Sequence, residues 1–154
     1  MTRAILCGVD DSRHGRAALR VAAQLAGQLE ARLLAVHVVH TGLASPELPP
    51  AHPLLVASAL DAAVDGGEAL LERILAEEHV DAERQVVHGF AADRLADLAD
   101  DVGAELIVVG SRGRGAFKSA VLGSVSRELI GVARRPVVVV PAGAVDSWNP
   151  CSFS

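Results

Sequence analysis

Five short apolar runs, rich in β-branched residues and separated by stretches with a helical repeat, constrain this chain more than any other feature. They fall at residues 3–9, 32–39, 82–88, 106–109 and 136–140. Short runs of this kind, bounded by turn residues, suit strands buried on both faces, where no side has to meet water. Asp10-Asp11-Ser12 breaks the first run with turn and cap formers, and Gly89 stops the third. Between them the period changes. From Ala18, the positions Val21, Ala22, Leu25 and Leu29 recur every three or four residues, with Arg20, Gln24 and Gln28 between them.

The later segments repeat the pattern. Residues 55–78 carry Leu60, Ala63, Val64, Gly67, Leu70, Leu71, Ile74 and Leu75 on one stripe, and Gly66-Gly67 marks either a bend or a close approach. Residues 91–102 repeat it through Leu95, Leu98, Ala99 and Val102, closed by Gly103. In the last helix Val125, Leu129 and Val132 form the expected inward face, Arg134 and Arg135 complement the dipole, and Pro136 opens the final strand. The order β-α-β-α-β-α-β-α-β implies right-handed crossovers, hence an α/β fold: one open, parallel five-stranded sheet with helices on both faces. At 154 residues the chain has the size of one domain, able to bury roughly 70 % of its unfolded surface. With three Phe, one Trp and no Tyr, its core has to be built from Ala, Val, Leu and Ile, which suits a helix-covered sheet.

The fourth run leads into Gly-Ser-Arg-Gly-Arg-Gly-Ala-Phe-Lys at 110–118, and on to Gly123-Ser124. Gly110, Gly113, Gly115 and Gly123 permit positive φ and let backbone N–H groups meet an anion without a Cβ between them. Arg112, Arg114 and Lys118 add positive charge. Ser124 is expected to cap the last helix, whose first-turn donors favour a phosphate oxygen. Two common phosphate loops are excluded. A P-loop ending at Lys118-Ser119 would need glycine at Phe117 and Arg112, and a dinucleotide fingerprint from Gly113 would need glycine at Lys118.

The spacing Gly110, two residues, Gly113, nine residues, Gly123-Ser124 resembles the nucleotide-binding signature of the universal stress protein family. The resemblance spans residues 3–142, through Gly8-Val9-Asp10-Asp11-Ser12, His37-Val38 and the 135–141 stretch Arg-Pro-Val-Val-Val-Val-Pro. It implies a Rossmann-like sheet of strand order 3-2-1-4-5, as in the adenine nucleotide alpha hydrolases, with Asp10 and Gly110 facing one crevice. It further implies an ATP-binding module: Asp10 and Val38 on the nucleoside side, and Val109, Gly110, Arg112, Gly113, Gly123, Ser124 and Val125 around ribose and phosphates. Magnesium would be held mainly through the phosphates. A homodimer through the last strand and a regulatory role in the stress response, read by protein partners as yet unknown, belong to the same implication. Two alternatives stand beside it: an interaction module of the same fold that binds no nucleotide, and a slow ATPase.

The residues carry bland readings too. Asp10 either caps a helix or accepts bonds from ribose or adenine, or helps hold a cation; with Asp11 and Ser12 able to cap, and the resembled family carrying an aspartate at this position, ligand contact is favoured for Asp10. Residues 41–53, with Pro46, Pro49, Pro50 and Pro53, form a connecting loop, either a binding segment or a plain insertion. The six histidines form no i, i+4 ligand pair, with His37 and His88 read as strand-end residues, and no Gly-x-Ser-x-Gly elbow occurs, so no catalytic or metal-ligating residue is assigned. Cys7 reads as a small core residue. A net charge of −5 and few aromatics argue against a nucleic-acid partner. The absence of an apolar run near the ~20 residues a bilayer needs, or of a signal pattern, argues against a membrane and for a cytoplasmic protein. Residues 1–143 are expected to form the domain and 144–154 a flexible tail, unless Trp148 packs on a neighbouring subunit.

Overall fold

The computed structural model describes residues 2–40, 52–112 and 122–143. Strands β1 (Ala4–Gly8), β2 (Arg32–Val39), β3 (Glu83–His88), β4 (Leu106–Gly110) and β5 (Val137–Val140) alternate with helices α1 (Arg13–Leu29), α2 (Pro53–Glu77), α3 (Ala91–Asp101) and α4 (Ser124–Val132). The sheet runs β3-β2-β1-β4-β5, with every neighbouring pair parallel. This is the order expected from the sequence. β1 lies at the centre, paired from Ala4 against Arg32 on one side and from Ile5 against Leu106 on the other.

Alternation along the strands divides the core in two. Ile5, Cys7, Leu33, Ala35 and Val108 face one layer with Ala18, Leu19, Ala22, Leu71 and Ile74, which belong to α1 and α2. Leu6, Leu34, Val36, Ile107 and Val109 face the other with Leu95, Ala99 and Leu129 of α3 and α4. A side-chain period of two makes each strand serve both layers. Full burial of each Leu or Ile here contributes about 1.5–3 kcal/mol relative to exposure.

Several local expectations are revised. Pro53 begins α2 instead of ending the loop: its missing N–H costs nothing in a first turn, and the His52 ring accepts from the Leu54 N–H. His37 sits inside β2, not at its end. Of α4, only Ser126 and Leu129 are buried, while Val125 and Val132 stand 37 % and 47 % exposed, so the inward face is rotated from the apolar one expected. Arg134 and Arg135 follow the helix, and Arg135 pairs with Asp100 beyond α3's core face at 2.9 Å. The expected loop at 41–53 falls largely on residues 41–51, and the expected tail on 144–154, both outside the described residues.

Candidate functional site

The chain leaves β1 through a compact turn. Asp10 Oδ1 accepts from the Ser12 N–H at 3.0 Å and from the Ser12 hydroxyl, and the Ser12 hydroxyl oxygen in turn accepts from the Gly15 N–H at 2.9 Å. Ser12 therefore caps α1, and Asp10 braces the cap through one carboxylate oxygen. Gly15 has to be bare, because a Cβ there would lie 2.7 Å from the Asp10 carbonyl. Gly110 is bare for a related reason: a Cβ would stand 2.7 Å from the His14 carbonyl carbon. The first turn of α1 thus closes directly over the end of β4. Positive φ, the freedom expected at Gly110 and Gly123, is found among the described glycines only at Gly89 and Gly103.

Beyond β4, the Ser111 N–H continues the ladder to the Val140 carbonyl at 2.8 Å. The Ser111 carbonyl then accepts from the Gly123 N–H at 2.7 Å and from the buried Ser126 hydroxyl at 3.2 Å. One carbonyl therefore joins the two ends of the segment 112–122. Arg112 leaves this junction half-buried, and Gly113 lies outside the described residues.

Helix α4 starts at this junction with Gly123, not Ser124, in the cap position, and Gly123 supplies no side-chain acceptor. Ser126, three residues on, donates to the Gly123 carbonyl at 3.1 Å rather than accepting from the turn. Among the described residues the opening N–H groups of α4 consequently meet no side-chain cap, the condition in which a helix start receives an anion. Helix α1 differs, since Ser12 already occupies one of its donors.

On the other side of β1 lies Val38. In a parallel ladder the N–H and C=O of one residue share a side of the strand, and successive residues alternate. The Val9 N–H bonds the Val36 carbonyl at 2.8 Å, and the Gly89 N–H bonds the Val39 carbonyl at 3.1 Å. Val38 therefore directs both backbone groups toward β1, beyond its last rung.

Asp11 turns away from the crevice. It accepts from Arg16 at 2.7 Å and Arg73 at 3.0 Å, and Arg16 also pairs with Glu77 at 2.7 Å and Glu78 at 3.2 Å. Bonding by Arg16 holds the Asp11 carboxyl below its ordinary range, and bonding by Arg20 and then Arg16 does the same for Glu78. Cys7 is fully buried, and burial pushes its thiol far up.

The carboxyl edge of the sheet thus gathers Asp10, Val38, Val109, Gly110, Arg112, Gly123 and Ser124. The Val109 side chain belongs to the core beside Leu95 and Gly8, leaving only its backbone for a ligand, and Val125 is partly exposed on α4's first turn. Ser111 and Ser126 were not singled out in the sequence. Their only signal was Ser126 three residues after a glycine cap, a position where a side chain reaches back to the helix start. Among the described residues no helix is long and apolar enough to cross a membrane, and no group of three or more His, Cys, Asp or Glu is arranged to hold a metal.

Known proteins share this framework. The family model described as "Universal stress protein family" matches residues 1–141. The universal stress protein Sll1654 of Synechocystis is 30 % identical over 151 residues, an alignment covering 92 % of this chain and 87 % of that protein. The solved structure of MJ0577 from Methanocaldococcus jannaschii superposes with a TM-score of 0.76 at 23 % identity, covering 92 % of this chain and 96 % of that one. A universal stress protein solved in complex with cAMP superposes at 0.60 with 25 % identity, covering 92 % and 98 %. With a family match across nearly the whole chain and a parallel 3-2-1-4-5 sheet beneath it, this chain belongs to the universal stress protein family.

Proposed function

We propose that this chain is an ATP-binding member of the family, a regulatory module whose nucleotide-bound state is read by protein partners. The observation that carries the proposal is the pairing of the open Val38 edge with the uncapped start of α4 at one edge of the sheet. A neighbouring N–H and C=O complement the N1 acceptor and N6 amino donor of adenine, and first-turn helix donors suit phosphate. A relative of this fold has been solved with cAMP, which is also an adenine nucleotide. The second Asp10 oxygen, which has no partner among the described residues, would meet ribose or a cation, and Arg112 the phosphates. Magnesium would be held mainly through the phosphates. A homodimer through β5, whose Val137–Val140 edge has no strand beyond it among the described residues, and a cytoplasmic setting complete the reading.

The test is calorimetric titration of nucleotide-stripped protein with ATP and magnesium, expected to saturate near one nucleotide per chain. Gly123→Val adds bulk beside the α4 donors at a backbone conformation (φ −72, ψ 171) that valine accepts, and affinity is expected to fall by about tenfold or more in a variant whose circular dichroism matches wild type. Unchanged affinity in that variant overturns the site. Absence of heat at two temperatures overturns nucleotide binding and leaves the interaction module, whereas phosphate release at about 10 per second would make the protein an enzyme.

A further inference from the structure

The β1–β2 ladder stops one rung early. After the bond from the Val9 N–H to the Val36 carbonyl, the next rung of a parallel ladder would run from the Val38 N–H to the Val9 carbonyl, and it is not made. That carbonyl lies instead 2.8 Å from Nδ1 of His37. A carbonyl only accepts, so the contact selects the ring form with its proton on Nδ1. The ring also has a prepared place. Gly67 of α2 packs against it, and a Cβ at Gly67 would stand 3.2 Å from His37 Cδ2.

We propose that His37 is a positioning residue that keeps the Val38 backbone edge open for a ligand by satisfying the carbonyl with which that edge would otherwise pair. The inference rests on the nucleotide reading above for its purpose, but not for its geometry. A buried or half-buried carbonyl left without a donor loses its bond to water and gains nothing in return, so the chain is driven to find it a partner. If β1 simply left the sheet after Val9, the nearest remedy would be the Val38 N–H, and the recognition edge would close. The His37 ring removes that drive, and the chain is then free to enter the Asp10–Ser12 turn. The open edge presents a donor and an acceptor side by side, which matches adenine. Guanine, with an acceptor at O6 and a donor at N1, presents the inverse pattern, so the same edge discriminates between purines.

Three variants separate positioning from mere packing. Asn places an amide nitrogen the same number of bonds from Cα as Nδ1, so His37→Asn retains the donor; His37→Phe retains the ring and removes the donor; His37→Leu removes both. Amide exchange followed by NMR on the ligand-free proteins is expected to show fast exchange at Val38 in the wild type and in His37→Asn. At least about tenfold slower exchange is expected in His37→Phe and His37→Leu as the rung forms. In titrations, the preference for ATP over GTP should persist in His37→Asn and fall about tenfold in the other two, the scale of one hydrogen bond. Equal Val38 exchange in the wild type and His37→Phe, or a protected Val38 amide in the wild type, overturns the proposal. So does an equal purine preference in His37→Asn and His37→Phe. If the wild type binds neither nucleotide, the functional reading fails alone, and the exchange comparison still decides the role of His37.

Discussion

Gly66 and Gly67 are adjacent in α2, yet replacing each with alanine should have opposite consequences. A Cβ at Gly66 meets nothing within 4 Å, whereas at Gly67 it would stand 2.9 Å from Val86 Cγ1 and 3.2 Å from both Val86 Cγ2 and His37 Cδ2. Alanine improves an α-helix interior by about 0.8–1 kcal/mol over glycine, and that gain is common to the two positions. Gly66→Ala should therefore stabilise the protein by about that amount. At Gly67 the same gain is opposed by overpacking, typically about 1–3 kcal/mol, against a β-branched side chain that has few rotamers in which to yield. The difference between the two variants cancels the helix term and isolates the steric one, expected at about 1–3 kcal/mol, or about 2–4 °C in Tm per kcal/mol for a chain of this size. Urea unfolding followed by far-UV circular dichroism, without nucleotide so that ligand linkage adds nothing, measures it directly. A difference below about 0.5 kcal/mol would refute the packing of α2 on β2 and β3 at this register. Stabilisation of both variants alike would do so more strongly.

Two further outcomes follow from the electrostatics. Because Arg20 and Arg16 lower the Glu78 carboxyl below its ordinary 4.5, its pairing stabilises the fold above that pH and is lost as pH falls through the lowered folded value. Glu78→Gln should be less stable than wild type near neutrality by about 0.2–1 kcal/mol, a range discounted for solvent screening at the exposed Arg20, and the gap should close in strong acid. A gap that persists unchanged at about pH 2 would show that packing, not charge, holds Glu78. Cys7, buried with its thiol pushed up, should resist alkylation in the native protein and react only through global opening. Peptide-level mass spectrometry would contradict this if Cys7 were labelled at the rate of an exposed thiol.

Much of the fold is legible residue by residue. The run 106–109 reads as a fully buried parallel strand because it is continuously apolar and mostly β-branched, and burial of Ile107, Val108 and Val109 on the two sides of the sheet is the same fact seen in space. Misreadings arise where burial follows hydrogen bonding instead of apolarity. Ser126 lies inside and Val125 outside because the Ser126 hydroxyl has two carbonyls to meet at the start of α4, a partner set that counting apolar residues does not see. Gly110 has a reason for its bareness that its own strand does not show: the first turn of α1 closes over β4 at that point.

The alternation of strand and helix, the parallel sheet it forces and the glycine spacing of the 110–124 segment were determined by the sequence alone. They depend on period and composition, which are local. The tertiary structure decided which of two neighbouring glycines faces the sheet, which serine tethers the ends of the segment, and that His37 takes the carbonyl of Val9, distant in sequence, leaving Val38 open. Each of these is a contact between elements whose relative placement is set by how the two core layers pack, and no pattern within one element carries that information.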